Sequence, residues 1–108
     1  MRLAELFKKY GTDKLTLGYA GFYEVLFAAR RYEVTPLLEV GIGTMIPGAC
    51  SSMVGFGAEH YAPGASLRAW RDYFPNAQIY GIDVQPDTQF SEARISTMLC
   101  DSTDIGAV

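Results

Sequence analysis

The chain has 108 residues, of which 49% are hydrophobic, 19% charged and 13% aromatic. That length supports one compact core rather than two, and the composition excludes a disordered chain, a collagen and a coiled coil. A formal net charge of −3 argues against a broad nucleic-acid footprint, and no apolar run is long enough to span a bilayer. The first residues, Met1 to Glu5, lack the apolar core and cleavage site of an export signal. The expectation is a cytoplasmic protein with Cys50 and Cys100 as reduced, buried thiols.

Residues 2–10 read as a short amphipathic helix, with Leu3, Leu6, Phe7 and Tyr10 on one face and Gly11 at the left-handed cap. Ala20 to Tyr32 repeats the period; Phe22, Val25, Leu26 and Ala29 form its expected core stripe, widened by Tyr23 and Phe27, and Pro36 prevents continuation. These elements make a helical cap segment over residues 1–36.

From Leu37 the pattern changes. Leu37 to Ile42, Gln78 to Val84 and Ser96 to Asp101 are short, mostly apolar runs, the pattern of parallel strands covered on both faces. Between the first two, Ser66 to Phe74 reads as a helix capped by Ser66, with Leu67, Trp70, Tyr73 and Phe74 as its stripe. A short helical turn is expected near Ser91–Arg94. Residues 37–108 thus predict an α/β fold, a three-stranded parallel β-α-β-α-β unit of truncated Rossmann-like form. The segment Thr44–Ala65 is long for a connection, rich in Gly and Pro, and too apolar at Met45, Ile46, Met53, Val54, Phe56 and Tyr61 for a solvated linker, so it reads as a loop packed over something.

Glu39-Val40-Gly41-Ile42-Gly43 ends the first strand, where glycines allow a tight turn and close approach of a ligand. The third glycine of a dinucleotide fingerprint is missing, because Ile46 stands there. A pyrophosphate binder is therefore disfavoured, and the acid–x–Gly–x–Gly form suits a ligand without phosphate, such as S-adenosylmethionine. Asp83 ends the second strand; it is either an acceptor for ribose hydroxyls or a turn residue before Pro86. Asp101 ends the third strand, as an acceptor from an adenine amino group or a turn residue. Glu39, Asp83 and Asp101 would then share the carboxyl edge of adjacent strands, where open α/β sheets bind ligands.

Leu37–Gly43, the stretch Ser66-Leu67-Arg68-Ala69-Trp70 through Phe74-Pro75-Asn76-Ala77, and Ile79-Tyr80-Gly81-Ile82-Asp83 together resemble class I S-adenosylmethionine-dependent methyltransferases. The resemblance is nearest to the cofactor-binding half of the natural-product branch, such as the macrolide sugar O-methyltransferases. Tyr10-Gly11-Thr12-Asp13-Lys14, Gly18-Tyr19, Tyr23-Glu24 and Cys100-Asp101-Ser102-Thr103-Asp104 resemble it too. It implies that Glu39, Gly41 and Gly43 form the methionine-side loop, that Asp83 holds the ribose, and that Asp101 and Ser102 frame the adenine. It also implies that Tyr19, with Thr12 and Asp13, closes the pocket. S-adenosylmethionine or S-adenosylhomocysteine is the implied cofactor. Leu17 departs from the family's usual His before Gly-Tyr, and the later elements that carry the family's acceptor pocket, base and metal-binding acids have no counterpart here.

Inside this chain His60, beside Glu59, is the candidate general base, weighed against a surface loop histidine. No metal site is assigned. The first strand would be an apolar edge, so a homodimer or swapped assembly through it is expected. The acceptor would be a small natural-product oxygen. The alternatives are a repurposed cyclase or isomerase with an apolar pocket, and a non-catalytic binding or dimerisation module.

Overall fold

Leu3, Leu6 and Phe7 recur at helical spacing and lie buried on one side of α1 (Leu3–Tyr10). Gly11 closes that helix at φ 74° and donates its N–H to the Phe7 carbonyl at 3.0 Å. The computed structural model describes residues 2–12, 18–44 and 62–103. The element order continues with α2 (Tyr19–Phe27), a 3₁₀ turn (Ala28–Arg30), β1 (Pro36–Val40), α3 (Ala65–Tyr73) and β2 (Gln78–Asp83). A second 3₁₀ turn (Pro86–Thr88), β3 (Ser91–Glu92) and β4 (Ile95–Leu99) complete it.

The helical period of α2 is as expected, but its phase is not. Phe22, Val25 and Leu26 point outward, with Val25 87% exposed. Ala20, Tyr23, Glu24 and Phe27 turn inward instead. Tyr23 and Phe27 meet the Trp70 ring edge-on at centroid distances of 5.3 and 6.2 Å. Glu24 accepts the Leu3 N–H at 3.0 Å and the Tyr73 hydroxyl. Inward packing therefore gains an aromatic cluster and pairs the one acid that turns with it, and this outweighs burying three aliphatic or aromatic side chains elsewhere.

The sheet runs β1-β2-β4-β3. β1, β2 and β4 are parallel, with Leu38, Tyr80 and Ser96 in one row and Val40, Ile82 and Met98 in the next. The parallel three-strand unit and the α/β class expected from sequence are present. Ser91–Arg94 is not a helical turn: Ser91 and Glu92 pair antiparallel with β4. Glu92 is held there by Arg68 at 2.9 Å and Arg71 at 2.8 Å. Arg94, at φ 62°, donates to the Phe74 and Ala77 carbonyls at 2.9 Å and to the Arg71 carbonyl at 2.8 Å. The Arg71 and Phe74 acceptors lie at the C-terminal end of α3, where carbonyls lack helical partners, and Ala77 lies just beyond it. Side chains of α3 thus fix a connection that local sequence alone leaves open.

Gly64, not Ser66, caps α3. The Ser66 hydroxyl instead shares a 2.8 Å hydrogen bond with Thr12. Leu67, Trp70, Tyr73 and Phe74 are buried as the spacing predicts. They join Ile79 and Ile95 of the sheet in one buried core, which covers one face of the strands. The other face is open: Leu38, Val40, Tyr80 and Met98 are all exposed. Burial on both faces, expected from the apolar strands, holds for only one. Among the described residues β1 has a paired strand on one side only, and no helix is long and apolar enough to cross a membrane.

Candidate functional site

At the end of β1 the chain turns sharply. Gly41 and Gly43 sit at φ 87° and 101°, where a side chain is strained, so glycine is required at both. The turn is tied to the end of β2 residue by residue. Gly41 donates its N–H to the Ile82 carbonyl at 2.9 Å. Ile42 and Gly43 donate theirs to Asp83 Oδ2 at 2.8 and 3.3 Å. The Thr44 hydroxyl reaches Asp87, 2.5 and 2.6 Å from its carboxylate oxygens.

Asp83 is only 4% exposed, and its Oδ1 also accepts the Gln85 N–H at 3.0 Å. A carboxylate offers about four lone-pair sites, so it can serve backbone donors and a ligand hydroxyl together. Asp87 is brought over Thr44 by the 3₁₀ turn Pro86–Thr88, which Thr88 closes by donating its hydroxyl to the Gln85 carbonyl at 2.7 Å.

A cleft of about 420 Å³ opens at this carboxyl edge. Val40, Gly41, Ile82, Asp83, Val84, Cys100, Asp101, Ser102 and Thr103 line it. Its walls are mostly apolar, with the Asp83 and Asp101 carboxylates and the Ser102 and Thr103 hydroxyls among the lining groups. Asp101 accepts from the Thr103 hydroxyl at 2.6 Å and the Thr103 N–H at 2.9 Å. The hydroxyl and then the backbone bond hold the Asp101 carboxyl below its ordinary value, so it is an anion at neutral pH.

Gly41, Asp83, Asp101 and Ser102 therefore come together as the sequence predicts. Gly43 adjoins them through its bond to Asp83. Glu39 alternates with the exposed Leu38 and Val40, and one of its carboxylate oxygens is buried. Neither it nor Tyr19 is a lining residue: Tyr19 begins α2, its ring 6.1 Å from that of Tyr23. Thr12 is buried against Ser66. His60, Glu59, Asp13 and Cys50, with the Met45–Tyr61 stretch, lie outside the described residues. Sequence reasoning missed the Thr44–Asp87 pair and the apolar wall of Val84 and Cys100. The signal for the pair was an acid one residue after Pro86, where a proline-initiated turn can fold back over the glycine run.

No family model matches the chain. Among curated proteins it is similar to 8-demethyl-8-alpha-L-rhamnosyl tetracenomycin-C 2'-O-methyltransferase of Streptomyces olivaceus, at 31% identity over 103 residues, covering 94% of this chain and 24% of the relative. Mycinamicin VI 2''-O-methyltransferase of Micromonospora griseorubida is 31% identical over 104 residues, covering 94% and 23%. Demethylmacrocin O-methyltransferase of Streptomyces fradiae is 31% identical over 108 residues, covering 98% and 24%. Among solved structures, MycE methyltransferase from the mycinamycin biosynthetic pathway, in complex with Mg, SAH and mycinamycin VI, superposes with a TM-score of 0.72 at 29% identity. That match covers 96% of this chain and 26% of the solved one. The chain spans about a quarter of the length of the curated relatives it matches. The resemblance to natural-product O-methyltransferases read from the sequence is borne out, and the fold matches part of a methyltransferase fold.

Proposed function

We propose that this chain carries the S-adenosylmethionine site of a natural-product O-methyltransferase-like protein, with a small-molecule oxygen as acceptor. The observation that supports it most is the convergence of the Gly41–Gly43 turn, Asp83, and Asp101–Ser102 on one cleft at the carboxyl edge of parallel strands. The residues present fit an adenosine. The cleft has the size of a small-ligand site, its apolar walls suit a base, and buried Asp83 faces it beside glycines that leave the backbone bare.

In this reading Glu39, Gly41 and Gly43 form the methionine-side loop. Asp83 holds the ribose by accepting from a hydroxyl, and Asp101 and Ser102 hold the adenine. Tyr19 closes the site from the N-terminal segment. When bound, S-adenosylmethionine supplies an electrophilic methyl carbon. The chain's own contribution is orientation of that ligand against an acceptor. His60, assisted by Glu59, is proposed to take the acceptor hydroxyl proton. Calorimetric titration with S-adenosylhomocysteine tests the site. Saturable heat from the unmodified chain, lost in Asp83→Ala, is expected; no heat at about 100 μM protein removes the reading.

A second copy is proposed to pair along the outer edge of β1, a strand that carries the exposed Leu38 and Val40 and has one neighbour among the described residues. Sedimentation at micromolar concentration is expected to give the dimer mass, and a clean monomer counts against it.

A further inference from the structure

Three consecutive residues after Gly41 are fastened to two carboxylates. Asp83 takes the Ile42 and Gly43 amides, and Asp87 takes the Thr44 hydroxyl. Thr44 is fully buried, as is Thr88, which closes the turn that carries Asp87. Neither Thr44 nor Asp87 lines the cleft. Hydrogen bonds to a charged acceptor are shorter and stronger than those of a neutral turn. A glycine turn has many accessible conformations, and such fastening removes most of them before a ligand arrives.

We propose that Thr44 and Asp87 are positioning residues: they hold the Gly41–Gly43 turn in its ligand-ready form and act on the methionine side of the ligand, not on its adenosine. The inference rests on the S-adenosylmethionine reading above. On that reading the ligand's nucleoside is held by Asp83, Asp101 and Ser102, whereas the turn receives the amino-acid end. Loosening the turn from behind then weakens a ligand that has that end and spares one that lacks it.

The test compares S-adenosylhomocysteine with adenosine, each titrated calorimetrically into the 108-residue chain and its Thr44→Val, Thr44→Ser and Asp87→Asn variants. Thr44→Val keeps the branched shape and removes the hydroxyl. It is expected to weaken S-adenosylhomocysteine about tenfold and to leave adenosine within about twofold. Asp87→Asn is expected to follow it, and Thr44→Ser, which restores a hydroxyl, to return the affinity. Amide hydrogen exchange of the ligand-free chain gives a second readout: Thr44→Val speeds exchange at Ile42 and Gly43 about tenfold and leaves the α1 amides unchanged. Equal losses for both ligands, no loss for either, or unchanged exchange at Ile42 and Gly43 overturns the proposal. Absence of binding by the unmodified chain to either ligand also overturns it. That result is distinct because it removes the S-adenosylmethionine reading at the same time.

Discussion

Ile79 and Ile95 lie on one face of the sheet beneath α3, with almost no surface left to water. A strand's step away on the other face, Leu38, Val40, Tyr80 and Met98 are between 45% and 63% exposed. Both rows are apolar and both belong to the same parallel strands. What differs is the cover. On the closed face the Trp70 ring sits among Phe7, Tyr23, Phe27 and Phe74 at 5.3–6.2 Å, so α1, α2 and α3 lock together over the strands. The comparison separates two things that strand composition merges. Apolarity states that a face is suited to burial, and only packing partners make it a core.

The largest expected effect comes from breaking the closed face. Trp70→Ala should cost about 3–5 kcal/mol in urea unfolding, whereas Met98→Ala on the open face should cost less than about 1 kcal/mol. Similar losses at both positions would erase the distinction. Gly81→Ala is the next step down. A Cβ there would stand 2.7 Å from Leu67 Cδ1 and 3.1 Å from Ile42 Cγ1. Leu67 is fully buried and has little room to give, so the same assay should show a loss of about 1–3 kcal/mol.

The pair that joins α2 to α3 sharpens the comparison through pH. Burial, then the Glu24 carboxylate, push the Tyr73 phenol from 10.0 up to about 12. Burial opposes ionisation of Glu24, but the Tyr73 hydroxyl, the Leu3 N–H and nearby Arg31 outweigh it and hold that carboxyl below 4.5. A raised phenol contributes stability that is whole below pH 10 and is lost as pH rises through about 12. A lowered carboxyl contributes stability that is whole above pH 4.5 and is lost as pH falls through the native value. Thermal melts by circular dichroism should therefore decline at both extremes, and Tyr73→Phe should flatten both limbs. The smallest stability change is expected from Leu38→Lys, within about 0.5 kcal/mol. Its readout is sedimentation, where the charge should suppress association through β1.

Much of this was legible in the sequence. Leu3, Leu6 and Phe7, and later Leu67, Trp70 and Tyr73, gave α1 and α3 because each set admits one helical face. α2 was misphased because Phe22, Val25 and Leu26 repeat as well as Tyr23 and Phe27 do; the choice depends on Trp70, far along the chain. β3 was missed because a two-residue strand is held by Arg68, Arg71 and Arg94 rather than by its own propensity. Gly41, Gly43, Asp83 and Asp101 were legible as candidates because the carboxyl ends of adjacent parallel strands collect on one edge, although each residue alone could be a turn former. Thr44 and Asp87 were not, because their meeting requires the 3₁₀ turn to fold back.

On the proposed function, the carboxyl edge between Gly41, Asp83 and Asp101 receives both the adenosine and the methionine of S-adenosylmethionine. The direct measurement is an amide chemical-shift map of the ¹⁵N-labelled chain titrated with S-adenosylhomocysteine. Saturable shifts are expected at Gly41–Gly43, Asp83–Val84 and Asp101–Thr103, with α1 and the open-face residues Leu38 and Tyr80 unmoved. Shifts confined to the open face, or none at the carboxyl edge at saturating ligand, would contradict it.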